Sequence, residues 1–170
     1  MKFINIGQDE YVKASDALLI LENTRHGAAK YFKSQAIKEE KLYKLGLKTM
    51  GMTLLVMKDY TVYEISIPVA EMLNRFNSLG YYFVRVNQSS YVAFDDIDVF
   101  ASTNSVFAVR LKEKTKNTSR DDYNFIRQGE KTKTLIRTST GVILRTALSV
   151  EELKNEIVLV EMKKDGFLKK

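Results

Sequence analysis

The second half of this chain repeats its first at a spacing of about 80 residues, and that repeat limits the available folds more than any other feature. Phe3, Gln8, Tyr11, Val12 and Asp16 recur as Phe83, Gln88, Tyr91, Val92 and Asp96. At the same offset Leu55, Val62, Glu71 and Leu73 recur as Leu135, Val142, Glu151 and Leu153. A unit of this length is too long for a solenoid repeat and suits a small domain. The expectation is an α+β chain of two related modules, residues 1–79 and 80–170, each a mainly antiparallel sheet with a C-terminal helix. A module of about 80 residues buries little core for its length, so each is expected to pack on the other or on further copies.

Local patterns fill in this outline. Phe3-Ile4-Asn5-Ile6-Gly7 alternates like a short strand, and Ala17 to Leu21 is a compact apolar run suited to a buried one. Arg25 to Lys44 has apolar residues at helical spacing, giving the first module an additional basic helix. Thr53 to Met57 and Thr61 to Ile67 read as a hairpin, and Pro68 opens a helix through Phe76. In the second module Tyr81 to Asn87 and Ile97 to Ser102 read as strands, and Val106 to Leu111 alternates like another. Lys133 to Arg137 and Gly141 to Thr146 restore the hairpin. Ser149 with Glu152 three residues on is a capping-box pattern.

The chain has no cysteine, which excludes disulfides, thiolate metal sites and cysteine nucleophiles. No segment approaches the roughly 18 apolar residues of a membrane span, and no signal-peptide pattern opens the chain, so a cytoplasmic protein without membrane contact is expected. Net charge is +6, which favours acidic partners. The excess is local. Residues 110–145 hold ten basic side chains against four acidic ones, a difference equal to the net charge of the whole chain. The first module carries 11 basic and 9 acidic residues, the second 16 and 12, so the first reads as scaffold and the second as the binding half.

Ile4-Asn5-Ile6-Gly7, then Val12-x-Ala14, an apolar strand, a basic helix, a hairpin and a proline-headed helix form an order that resembles the RemA-type regulators of biofilm-matrix genes. The resemblance covers most of residues 3–76. In the second module it rests on the strand skeleton and on Gly129-Glu130-Lys131-Thr132-Lys133, which lines up with that family's glycine-basic turn. Gly46-Leu47-Lys48-Thr49 is the first-module counterpart and keeps one of two adjacent basic residues. The resemblance implies oligomers that present basic turns to duplex DNA. Asp16 and Asp96 depart from it, standing where the family carries an arginine associated with DNA contact.

Basic side chains on turns between strands reach phosphate oxygens, and counterion release drives such association. Lys131 and Lys133 are therefore the expected primary contacts, with Lys48 a partial equivalent and Arg127, Arg137, Arg110 and Lys112 in support. Arg127, Arg137 and Arg145 are also suited to reading guanine. Of the aromatics Tyr81, Tyr82, Phe83, Phe94, Phe100 and Phe107, the inward half is read as core and the outward half as an interface between modules or subunits. His26 stands alone, and Asp95-Asp96-x-Asp98 lacks the rest of a calcium loop. No metal, no cofactor and no enzymatic activity is expected. Two functions compete. One is a DNA-binding transcriptional regulator, a homo-oligomer whose two unequal edges pair head to tail. The other is an inhibitor or adaptor, of the kind a mobile element encodes, targeting a nucleic-acid enzyme through the 112–122 loop and the basic face.

Overall fold

The computed structural model describes residues 1–45, 51–115 and 131–166, the side chains of 111–115 excepted. Strands β1 (Phe3–Gly7) and β2 (Glu10–Lys13) form a hairpin, and a single 3-10 turn leads into β3 (Ala17–Glu22). Next come α1 (Gly27–Lys38), β4 (Leu42–Lys44), β5 (Thr53–Met57), β6 (Val62–Ile65) and α2 (Val69–Ser78). The second half runs through a similar order: the hairpin β7 (Phe83–Asn87) and β8 (Ser90–Ala93), a 3-10 turn, β9 (Ile97–Ser102), α3 (Val106–Thr115), β10 (Thr134–Thr138), β11 (Ile143–Thr146) and α4 (Val150–Lys164).

The result is an α+β fold with two sheet-rich regions. A six-stranded sheet has the order β4-β6-β5-β3-β8-β7, a three-stranded sheet the order β11-β10-β9, and β1-β2 stands as a two-stranded ribbon. The large sheet is mixed, because β4 runs parallel to β6 while its other pairings are antiparallel. It also draws strands from both halves: β3 pairs with β8 through Leu19↔Val92, Ile20↔Tyr91 and Leu21↔Ser90.

Buried strands explain the apolar runs. Leu18 to Leu21 are each at most 1 % exposed, because β3 lies between β5 and β8 with both faces covered. Its side chains divide between two cores. Leu19 and Leu21 meet α1 through Ala28, Ala29 and Phe32, in a cluster that also takes Val84, Val92, Ile136, Leu144 and Leu153 from the second half. Ile20 joins Ile4, Ile6, Leu55, Met72 and Phe76 beneath α2. Full burial of each such side chain contributes about 1.5–3 kcal/mol. A third, small cluster of Ala108, Leu135 and Ile143 lies under α3.

Four expectations are corrected. The helix expected over Arg25–Lys44 stops at Lys38, where Glu40 takes a positive φ of 57° and the Lys41 amide donates to the Ala36 carbonyl at 2.7 Å. Leu42–Lys44 can then extend alongside β6. Val106 to Leu111, expected as a strand, belongs to α3, whose first turn is held by Ser105: its hydroxyl accepts from the Ala108 amide and its carbonyl from Val109. An additional helix therefore occurs in both halves. Finally, the offset does not stay at 80. The Lys58 amide donates to the Asp16 carbonyl and the Ser139 amide to that of Asp96, both at 2.8 Å, so the acceptors are 80 residues apart and the donors 81. The strand registers agree: Ile20↔Leu55 corresponds to Phe100↔Ile136, making Ile136, not Leu135, the partner of Leu55. The 112–122 segment, expected as a loop, is helical through Thr115, and the rest lies outside the described residues.

Candidate nucleic-acid interface

Side chains directly opposite one another on paired strands point to the same side of a sheet. On the three-stranded sheet Leu135 faces Arg145 and Ala101, while Arg137 faces Ile143 and Val99. Leu135, Arg137, Ile143 and Arg145 therefore share one face, the one covered in part by α3. The opposite face carries Thr134, Ile136, Leu144 and Thr146, all buried. Lys133 immediately precedes β10, with its amide on the Thr146 carbonyl at 2.9 Å and its own carbonyl accepting from Thr103. Alternation along the strand puts it on the side of Leu135 and Arg137. Its separation from Arg137 is about 13 Å, four residues at extended spacing.

Helix α3 adds to this face. The Arg137 guanidinium lies 5.5 Å from the centre of the Phe107 ring, a cation–π contact that ties it to the helix. Arg110 follows Phe107 by three positions, one helical turn away, and is exposed. The irregularity between Ile97 and Val99 turns Asp98, which is exposed, towards this same face, so β9 contributes one carboxylate among the basic side chains. Lys131, Lys133 and Arg137 are exposed and Arg145 is half-buried. Glu152, in the first turn of α4, is close enough to feel the Lys133 charge. Its carboxyl lies below the ordinary value, chiefly because it accepts a hydrogen bond from the Ser149 amide, with the Lys133 charge adding to the effect.

The structure thus brings Lys133, Arg137 and Arg110 to one face and adds Arg145. Lys131 stands just ahead of them. Lys112 falls within α3, while Lys48 and Arg127 lie outside the described residues, as do Gly129 and Glu130 of the expected glycine-basic turn. Arg145 was singled out for base reading from its residue type, but only the strand register shows which residues it accompanies.

The corresponding face of the first half has a different character. Leu54 faces Glu64 across β5 and β6, and Glu64 is completely buried. The Lys33 ammonium from α1 lies 2.7 Å from one carboxylate oxygen, and the Gly51 amide donates to the other at 3.0 Å. Burial alone pushes the Glu64 carboxyl up; the Lys33 and Gly51 hydrogen bonds outweigh it and leave the pKa lowered. Here α1 seals the sheet, and an ion pair takes the place that Arg145 holds in the second half.

The remaining candidates have structural surroundings. Asp96 is 7 % exposed; its carboxylate accepts from the Ser139 hydroxyl at 2.7 Å and pairs with Lys58 at 3.2 Å. Asp95 pairs with Lys164 at 3.1 Å. Tyr82 and Phe83 are buried, and Phe83 packs edge-on against Phe76. His26 precedes α1 without capping it through its side chain. Among the described residues no group of three or more His, Cys, Asp or Glu could hold a metal ion, and no helix is long and apolar enough to cross a membrane. No protein-family model matches the chain, and no curated protein matches it.

Proposed function

We propose that the chain is a fused pair of related α+β units and that its second unit binds duplex DNA, as a transcriptional regulator of the RemA type. The observation that carries this reading is the clustering of Lys133, Arg137 and Arg145 on one strand face, with Arg110 of α3 beside them, four basic side chains against the single strand carboxylate of Asp98. Cations so arranged follow a phosphate backbone and release its counterions. Phosphate contacts position a protein on the duplex, and arginine adds bidentate contact to guanine. The common element order of the halves and their matching Asp16–Lys58 and Asp96–Ser139 backbone bonds support the fused pair. The sealed Glu64–Lys33 face supports a scaffold role for the first unit.

Fluorescence anisotropy of a labelled mixed-sequence duplex, titrated with protein at two salt concentrations, tests the reading. Binding is expected at about 50 mM salt and should weaken steeply as salt rises. Lys133→Ala with Arg137→Ala should weaken all sequences similarly and reduce the salt slope by about one for each phosphate that is no longer neutralised. Absence of binding at the lower salt would overturn the proposal and turn attention to a protein partner.

A further inference from the structure

The free edges of β9 and β2 differ from those of their counterparts β3 and β8 in a specific way. Within the chain, β3 has β5 on one side and β8 on the other. Strand β9 sits in the place of β3 in the second half, yet among the described residues it has β10 on one side and nothing on the other. Strand β2 sits in the place of β8, and among the described residues it pairs only with β1. Among the described residues, one chain therefore presents an unfilled acceptor edge at one end and an unfilled donor edge at the other.

Exposure follows the same division. Residues 17–21 of β3 are all buried, whereas Ile97, Val99, Phe100 and Ala101 of β9 are only half-buried. Phe3 is 53 % exposed, against 8 % for Phe83, and Tyr11 is 59 % exposed where Tyr91 is half-buried. Unpaired edges with apolar side chains are templates for strand addition.

We infer that β2 of one copy of this chain adds antiparallel to the free edge of β9 of another, repeating between chains the β8-on-β3 pairing made within each. Carrying over the internal register puts Val12, Tyr11 and Glu10 of one copy opposite Val99, Phe100 and Ala101 of the other. A second set of internal contacts points the same way. The β5–β6 turn of the first half reaches the second half through Lys58, which pairs with Asp96, and through the Tyr60 hydroxyl, which donates to the Thr140 carbonyl at 3.1 Å. The corresponding target in the first half borders an open cleft of about 390 Å³, lined by Tyr11, Lys13, Asp16, Asp59 and Thr61. The β10–β11 turn of a neighbouring copy, Ser139 to Gly141, is the segment that fills it. Tyr60 and Gly141 match in backbone, with φ of 69° and 88°. The contact joins unlike surfaces, so it propagates head to tail and closes into a ring or continues as a filament.

Sedimentation velocity of the full chain over a concentration series, without DNA, tests this apart from duplex binding. Association that grows with concentration is expected, and a monomer throughout overturns the inference. Ala101→Glu places two carboxylates opposite one another and should move association to severalfold higher concentration. Adding Glu10→Lys to that variant should restore it. Pairing of β9 with β9 would not put residue 10 opposite residue 101, so recovery identifies both partner strand and register. No recovery in a double variant with native circular dichroism overturns the inference. Hydrogen exchange of the unsubstituted protein is the second readout. Amides of 97–102 and 10–13 should slow together as concentration rises, and unchanged exchange in both segments counts against the pairing.

Discussion

Glu64 shows how much one side chain determines in the first half. A fully buried carboxylate is tolerable only because Lys33 and the Gly51 amide meet its two oxygens. Lys33→Met keeps the aliphatic stem and removes the charge, leaving Glu64 buried without its ion pair. The expected cost is about 3–5 kcal/mol at pH 7, measured as a lower urea midpoint. The pH dependence has a definite sign. Because the folded carboxyl lies below its ordinary value of 4.5, the unfolded chain takes up the proton first as pH falls. The stabilisation is complete well above pH 4.5, starts to fade as pH falls towards that value, and is lost once pH passes below the folded pKa. Glu64→Gln should therefore flatten the dependence of stability on pH across this acidic window. A slope equal to that of the unsubstituted protein would show that another carboxylate governs the acid transition.

Among the elements, α4 is the one whose start is most strongly written in the sequence. The Ser149 hydroxyl accepts from the Glu152 amide, and the Glu152 carboxylate accepts from the Ser149 amide, both at 3.1 Å. Ser149→Ala should cost about 1 kcal/mol, read from the urea midpoint. Local signals of this kind made α4, α2 and the β5–β6 and β10–β11 hairpins legible, since caps, prolines and alternation act within a few residues. The misread elements lacked them or gave conflicting ones. Val106 to Leu111 alternates, but the cap at Ser105 and the burial of Ala108 against β9–β11 make it a helix. Nothing in Glu39-Glu40 marks a helix end, and Leu42–Lys44 becomes a strand because β6 offers a free edge. The candidate interface was legible as a charge excess but not as a surface. Which basic side chains share a face depends on the pairing of β10 with β9 and β11, residues far apart in sequence.

On the scale of the whole molecule, the repeat suggests two small units, but the main core does not divide at residue 80. Leu19, Leu54 and Phe32 share one cluster with Val84, Ile136, Leu144 and Leu153, and β3 and β8 join the halves through one sheet. The Thr146 hydroxyl on the Val86 carbonyl ties β11 to β7 within the second half, so damage at β11 passes to the β7–β8 hairpin and from there to β3. Leu144, completely buried, is a direct probe of that route. Leu144→Ala should cost about 2–5 kcal/mol, as deletions of buried leucine do. If the cluster makes the halves one cooperative unit, hydrogen exchange under increasing denaturant should show β3 and β10 losing protection at one midpoint, lowered together by the substitution. Separate midpoints, with only β10 shifted, would mean that each half holds itself together and that the shared cluster contributes packing without cooperativity. The cooperative outcome follows from the numbers of the fold itself: a unit of about 80 residues is marginal alone, and here each half completes its core with side chains of the other.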